Sequence, residues 1–499
     1  MRKFSITTLG CKVNQYDAQL LAQRLAEAGF VQARSKRPVD LAAIQTCCVT
    51  TVAMRKCRQA IRAALKASPH AAVLVAGCYS DYDGQRIASL LASLGVAPAR
   101  MLVAGHHSIS QRLERFLDSL SGGGSPPPIT ARGGGWPLGQ GDGVSVAADS
   151  SASDVTLQNP TSIRQRRHSA VKANMPAPTL GSLRRFAGHQ RAFVKVQDGC
   201  DAFCSYCIVP YTRCRVSSKP ADAVVEECRR LLHAGHREIV LSGVFLGAYG
   251  RPTTLRRHWS DPPRSPLADL VRRVAALDGL WRVRLSSLEP LDLTDELLDV
   301  LASTPRVAPH LHLALQSGSP AVLRRMNRQY APDDFRRTID ALRAKLHRPA
   351  VTTDIIVGFP GETDADFAET MEMARYARFA KIHAFPFSAI EPTAAWQLRR
   401  EAPPKDVVRR RLGELGDLER QLAEDYRRTF VAQTVEALVE AAGRDESPAK
   451  PPRHAIRQAV SEHYQRIRFR APRDADLTGQ VVRLRIDAVT PDGLEGTLA

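Results

Sequence analysis

Residues 196–210 read VQDGCDAFCSYCIVP. Cys200, Cys204 and Cys207 stand there in a C-x-x-x-C-x-x-C spacing, directly after AFVKVQ, a run with the composition of a strand. A structural zinc site takes four protein ligands, and neither Cys214 nor a nearby histidine completes the usual paired spacing. An iron-sulfur cube held by three thiolates instead leaves one iron open to a ligand. Zinc and iron-sulfur readings part at that fourth position, and ligand count favours the cluster.

Downstream of this loop, strand-like runs EIVLSGV, WRVRLSS, HLHLALQ, VTTDIIVGF and KIHAFPF alternate with helical stretches such as ADAVVEECRRLLHAG and PDDFRRTIDALRAKL. With AFVKVQ they make six β/α units between about 190 and 390, which predicts a parallel, partial (β/α)6 barrel with the cysteine loop after its first strand. Ligands of such barrels sit at the carboxyl ends of the strands. Gly243, Ser287, Glu289, Gln316, Ser317 and Asp354 fall at or near those ends, and Gly358, Pro360 and Gly361 read as a tight turn. Gly243 would let backbone approach a ligand closely; the polar residues are equally readable as caps or turn residues.

Upstream, KFSITTLG, DLAAIQTC and AAVLVAGC alternate with helical patterns, one running from Thr51 to Ala67, which is the order of an α/β layer with parallel strands. Cys11, Cys47 and Cys78 terminate these three strands and can converge on a second three-thiolate site; the alternative is ordinary buried core thiols. Cys48 faces away from Cys47 on an extended segment, while Cys57 and Cys228 fall in helical patterns as core residues. Cys214 has no assigned part.

The chain of 499 residues carries 70 Lys and Arg against 51 Asp and Glu, a formal charge of +19, which favours a polyanionic partner. No apolar run reaches membrane-spanning length and the start, MRKFSITTLGCKVNQ, lacks a signal-peptide core, so a cytoplasmic protein is expected. In that reducing compartment ten cysteines point to metal or redox chemistry rather than a disulfide framework. From 121 to 185 Gly, Pro, Ser and Asp displace periodic apolar residues, which predicts a disordered low-complexity insertion or linker. From Val431 onward short alternating segments with Gly and Pro turns predict a small antiparallel β-barrel. Within HYQRIRFR, alternation puts Ile467 and Phe469 on one side and Tyr464, Arg466, Arg468 and Arg470 on the other, a face suited to RNA phosphates and one stacked base.

Taken together, TLGCKVNQYDAQ, QTCCVT, VAGCYS, KVQDGCDAFCSYCIVPYTR, LSGVFLGAYG, HLHLALQSGS and TDIIVGFPGET resemble the methylthiotransferase family of radical S-adenosylmethionine enzymes, over nearly the whole chain outside 121–185. LGCKVNQYD, VQDGC and LGAYG are most similar to the branch acting on N(6)-threonylcarbamoyladenosine at position 37 of tRNA. The resemblance implies an α/β methylthiotransferase domain at 1–120, a radical core at 186–430 and a TRAM RNA-binding domain at 431–499. It implies two 4Fe-4S clusters, one on Cys200, Cys204 and Cys207 and an auxiliary one on Cys11, Cys47 and Cys78. S-adenosyl-L-methionine would serve twice, as methyl donor and as radical source, with Gly243, Ser287, Glu289, Gln316 and Asp354 as cofactor contacts. The implied partners are the tRNA anticodon loop, a low-potential electron donor protein and a sulfur source.

Methylthiolation would fall on carbon 2 of the adenine, whose inert C–H bond calls for a radical route. Other branches of the family, acting on N(6)-isopentenyladenosine or on a ribosomal-protein aspartate, remain alternatives, as does a non-catalytic iron-sulfur RNA-binding protein. The chain departs from the family pattern at Gln45, Cys48 and Cys214 and in SAIEPTAAW, none of which is an implied cluster ligand.

Overall fold

The structure, a computed structural model, describes residues 1–33, 38–106, 108–120, 180–259, 265–441 and 454–499. The chain forms two compact units. The first holds the described residues before 180 together with Cys207–Arg215 and Ile390–Trp396; the second holds Leu180–Tyr206, Val216–Ala389 and Gln397–Ala499.

In the first unit, β1 (Lys3–Thr8), β2 (Val31–Gln32), β3 (Leu41–Thr46), β4 (Ala72–Gly77) and β5 (Met101–Ala104) form one parallel sheet in the order β2-β1-β3-β4-β5. Its helices are α1 (Lys12–Glu27), α2 (Thr51–Ala67), α3 (Cys78–Ser93) and α4 (Ile109–Leu120). LAAIQT and AVLVAG are buried at every position of β3 and β4, as central parallel strands covered on both faces must be. Met54, Cys57 and Ile61 of α2 and Ile87 and Leu91 of α3 pack with Val73 and Val75 on one face. Leu21 and Leu25 of α1 and Leu113 and Phe116 of α4 pack with Phe4 and Leu74 on the other. The expected helix from Thr51 to Ala67 is α2, whose first turn is capped by the Thr50 hydroxyl accepting from the Ala53 N–H. Ile208 and Ile390 join the core of the first face. Composition gives no hint of this, because both short segments lie within the sequence of the second unit's strands and helices.

The second unit begins with β6 (Arg191–Asp198), β7 (Ser217–Ser218), β8 (Glu238–Gly243) and β9 (Arg282–Leu285), ordered β7-β6-β8-β9 with β6, β8 and β9 parallel. Next come β10 (Ser287–Leu288), β11 (His310–Leu313), β12 (Ala350–Val357) and β13 (Lys381–Pro386), all parallel in that order. β9 and β10 are one run interrupted at Ser286, so six β/α units make up the expected partial barrel. Residues 121–179 of the expected disordered insertion lie outside the described residues. Its last residues, 180–185, pack instead: Leu183 is buried and its N–H donates to Glu227 Oε1 at 2.9 Å, because one apolar anchor outweighs the polar composition around it.

The helix Lys405–Arg428 leads into a closed barrel of β14 (Thr434–Val439), β15 (His454–Ser461), β16 (Arg466–Pro472), β17 (Val481–Thr490) and β18 (Gly493–Leu498). Every neighbouring pair is antiparallel except β16 with β18, which run parallel. A ring of five strands cannot alternate direction all the way round, so one parallel pair is forced. Inside the second unit this barrel is tied to β8 and β9. Arg284 forms a buried pair with Glu238 (2.9 and 3.3 Å) and donates to the carbonyls of Glu462 (2.9 Å) and Ser461 (3.3 Å). Replacing Glu238 by Gln leaves that guanidinium buried without its counter-charge, and the expected cost is about 3–5 kcal/mol, read as a lowered chemical-denaturation midpoint.

His463 adds a pH response. Burial, reinforced by Arg348, Arg284 and Arg282, pushes its pKa from 6.5 down to about 3, and neither ring nitrogen has a hydrogen-bond partner among the described residues. The unfolded chain therefore binds a proton between pH 6.5 and 3 that the folded chain excludes. Stability is full above 6.5 and falls with acidification, by at most about 1.4 kcal/mol per pH unit. H463Q should lose less stability between pH 7 and 5 than the parent chain in parallel denaturation curves.

Candidate cluster sites

Cys11, Cys47 and Cys78 all lie at the carboxyl edge of the first unit's sheet. Cys47 and Cys78 directly follow the neighbouring strands β3 and β4, and Cys11 follows β1 as the N-cap of α1. A residue at that position usually caps through its side chain, yet Cys11 makes no capping bond and its thiol is exposed. Gly10 has φ +106°, and a Cβ on it would stand 2.9 Å from Cys47 Cβ, so the turn before Cys11 needs glycine for two separate reasons. Burial pushes the Cys47 thiol up to about 12, with Cys78 and Cys11 adding to it; burial pushes Cys78 up to about 11, with Arg213 opposing it. Cys48 and Cys57 are fully buried in the core of the α2–α3 face, and none of the ten cysteines is in a disulfide.

Three polar residues bind this edge together. Asn14, one turn along α1 from Cys11, donates from Nδ2 to the carbonyls of Leu9 (2.9 Å) and Thr46 (2.8 Å). Its Oδ1 accepts from Arg213 Nη2 at 3.1 Å. Arg213, from the Cys207–Arg215 segment, also donates from Nε to Cys78 Sγ (3.3 Å) and from Nη2 to Asp17 Oδ2 (2.7 Å). Among the described residues no three His, Cys, Asp or Glu side chains stand close enough to hold a single metal ion. The thiolates of a cube bind separate irons, so a cluster does not ask for that single-ion geometry.

In the second unit the loop after β6 carries Cys200 and Cys204. Asp201 Oδ1 accepts from the Thr254 N–H and hydroxyl (both 2.7 Å), and Thr254 Oγ1 stands 3.6 Å from Cys200 Sγ. The far side of the loop is held by RMNR, residues 325–328. Ser205 donates to the carbonyls of Met326 (2.9 Å) and Arg325 (2.8 Å), and Asn327 Nδ2 donates to those of Ala202 (3.2 Å) and Phe203 (3.0 Å). Arg328 Nη1 donates to Cys204 Sγ (3.1 Å) and the Tyr206 hydroxyl (3.3 Å). Burial raises the Cys204 pKa and Arg328 opposes it. Cys207 opens the segment that packs with the first unit.

Glu289 is buried and both its oxygens are taken, Oε1 by Arg328 (2.5 Å) and Oε2 by Arg256 (3.2 Å), which also reaches Asp292 (2.5 Å). In this arrangement Glu289 orients Arg328 toward Cys204. Gly243 ends β8, and a Cβ there would meet Gln197 Cβ and Oε1 at 3.0 Å. Ser287 is exposed, while Ser286 beside it is buried with a hydroxyl that has no partner among the described residues. Gln316 adopts φ +62°, a left-handed conformation costing about 1 kcal/mol or more for a non-glycine residue, and its backbone bridges Asp354 O and Ile356 N. The Asp354 carboxylate stands 3.3 Å from His312 Nε2. Ser317 is buried against Thr370 instead of lining the mouth. A cavity of about 390 Å³ opens beside Gly358, Pro386 and Phe387, with Lys405 and Arg409 on its rim.

On the barrel, Arg466, Arg468 and Arg470 are exposed along β16 and Ile467, Phe469 and Ala471 are buried. Exposed Arg483 and Arg485 of β17 extend the basic face across β18. Tyr464 does not share it. β16 starts at Arg466, and Tyr464 lies in the preceding turn at φ +63° with its ring against Arg191 (5.1 Å), Arg284 (4.9 Å) and His310 (4.6 Å). The turn reverses the chain before alternation begins, and its tyrosine packs at the junction with the barrel's neighbouring strands. Among the described residues no helix is long and apolar enough to cross a membrane.

Residues 194–374 match the Radical SAM superfamily, and residues 3–96 match Uncharacterized protein family UPF0004. A threonylcarbamoyladenosine tRNA methylthiotransferase, MtaB, of Chlamydia pneumoniae is 30% identical over 99% of this chain and 98% of its own length. A tRNA-2-methylthio-N(6)-dimethylallyladenosine synthase of Anaeromyxobacter dehalogenans is 32% identical over 100% of this chain and 94% of its own. Among solved structures, the radical S-adenosylmethionine methyltransferase TsrM of Kitasatospora setae aligns at 14% identity and TM-score 0.49, covering 89% of this chain and 79% of that one. Identity sustained along essentially the whole chain shows that it belongs to the methylthiotransferase family of radical S-adenosylmethionine enzymes.

Proposed function

We propose that the protein methylthiolates carbon 2 of N(6)-threonylcarbamoyladenosine at position 37 of tRNA, working in the cytoplasm. The observation that carries the chemistry is the second cysteine set: Cys11, Cys47 and Cys78 at the carboxyl edge of three adjacent strands, apart in sequence from Cys200, Cys204 and Cys207. The donor sets fit iron-sulfur clusters, because a guanidinium N–H reaches one thiol in each set, buried Cys78 and half-buried Cys204, and favours its thiolate. When bound, two 4Fe-4S clusters and S-adenosylmethionine supply methyl transfer and hydrogen abstraction from an inert C–H bond.

The chain's own residues hold and orient. Glu289 and Arg328 fix Cys204, Thr254 and Asp201 fix the loop at Cys200, and Gly243 leaves the end of β8 without a side chain. Ser287, Gln316 and Asp354 are the proposed cofactor contacts, joined by the buried hydroxyl of Ser286. A low-potential electron donor protein and a sulfur source complete the proposed partners.

RNA binding is proposed for Arg466, Arg468 and Arg470, with Arg483 and Arg485 beside them, while Tyr464 serves packing. Changing the three β16 arginines to Gln should weaken tRNA binding and lower the log–log salt slope by about 1 for each phosphate no longer neutralised. An unchanged slope would move the RNA face elsewhere.

The wording LGCKVNQYD and the threonylcarbamoyl-type relatives support the preferred base; the 32% identity to a dimethylallyladenosine synthase favours the second reading, an isopentenyladenosine substrate. Mass spectrometry of tRNA nucleosides from a strain lacking the gene decides between them. The first reading expects loss of 2-methylthio-threonylcarbamoyladenosine alone; loss of only the isopentenyl product supports the second.

A further inference from the structure

We infer that Arg213 is a positioning residue for the N-terminal cluster, donating a hydrogen bond to the Cys78 thiolate and thereby raising that cluster's reduction potential. The inference rests on the reading that Cys11, Cys47 and Cys78 hold a cluster. Arg213 is 3% exposed, and its planar fork meets three acceptors at once: Cys78 Sγ at 3.3 Å, Asn14 Oδ1 at 3.1 Å and Asp17 Oδ2 at 2.7 Å. Asn14 is itself held by the Leu9 and Thr46 carbonyls at the ends of β1 and β3, so the direction of its Oδ1 is set by the strands on which Cys11 and Cys47 follow. Asp17 matches the guanidinium charge, which lets Nε aim at sulfur. Hydrogen bonds to cluster sulfurs favour the reduced, more negative state and raise the potential. A lysine at this place can satisfy Asp17 or the sulfur, but no ammonium presents the fixed fork that reaches both and Asn14 together.

Arg213 also comes six residues after Cys207, on the segment whose Ile208 is buried in the core of the α2–α3 face. The stretch that leaves the radical-cluster motif thus supplies the donor to the auxiliary thiol. A clamp that only fastens this segment would use the same Asp17 ion pair, so the test has to separate the bond to sulfur from the ion pair.

The experiment uses the full chain in a Cys200→Ala/Cys204→Ala background, anaerobically reconstituted, so that only the N-terminal cluster remains. EPR-monitored redox titration compares Arg213 with R213Q, R213K and D17N. At equal iron content, R213Q should move the midpoint to lower potential, lowering the reduced-to-oxidised ratio at a fixed potential about tenfold, which is about 59 mV for one electron. R213K should shift it in the same direction by less, and D17N, which spares the bond to sulfur, should not lower it. An R213Q midpoint equal to the parent's, with only a lowered melting temperature, would overturn the inference and leave a structural clamp. If R213Q does not fold, a parental midpoint in R213K overturns it equally. Absence of iron from the background chain itself is a different result, and would remove the cluster reading on which this one stands.

Discussion

Changing Cys204 to Ala is expected to reduce 5'-deoxyadenosine formation from S-adenosylmethionine and reductant to the level without enzyme. Cys204 is the half-buried thiol of the motif that is bonded to a guanidinium, so its loss removes a ligand and takes from Arg328 Nη1 its bond to sulfur, while Nη2 keeps its pair with Glu289. Burial raises the pKa of this thiol and Arg328 opposes that shift, so the arginine favours the thiolate that an iron would take. R328K is the milder companion, because an ammonium cannot serve Cys204, Tyr206 and Glu289 together. Loss of a supporting group of this kind costs roughly 10–100-fold in metal affinity or activity. Wild-type cleavage in C204A would displace the radical site from this loop.

Changing Cys78 to Ala has the opposite signature. Cofactor cleavage should persist, since the loop at Cys200 and Cys204 is untouched, while methylthiolated product falls to background. The packing cost is small beside that effect: Ala removes one sulfur from a site where Asn14 and Arg213 keep their bonds to Leu9, Thr46 and Asp17. Product formation in C78A at the parental rate would mean that Cys78 is a core thiol, the alternative that its burial alone would allow.

Much of the fold and of the proposed site is legible because the candidate cysteines follow strand ends. KFSITT, LAAIQT and AVLVAG announce strands by composition, and parallel pairing then carries their carboxyl ends to one edge with no knowledge of side-chain contacts. The six units of the partial barrel were readable for the same reason. What sequence could not show are bonds made across long separations. Arg328 is 124 residues from Cys204 and Arg213 is 135 from Cys78, and neither arginine stands out among the 70 basic residues of a chain charged +19. Glu289 is readable as a polar residue at a strand end, but its bonds to Arg256 and Arg328 are not. Asn14 carried a usable signal, since a polar residue three positions after Cys11 shares its helix face. Tyr464 departs from the alternation because it precedes the start of β16, in a turn where the period of two does not hold. The single parallel pair in the barrel follows from a strand count of five, which was not in hand from pattern alone.

The central claim is that one chain carries two separate three-thiolate sites. It is tested most directly by counting iron in the anaerobically reconstituted full-length protein, in a variant with Cys11, Cys47 and Cys78 changed to Ala, and in one with Cys200, Cys204 and Cys207 changed to Ala. Two four-iron clusters predict about eight irons in the parent chain and about four in each variant. Parental iron content in the Cys11, Cys47 and Cys78 variant would contradict the account.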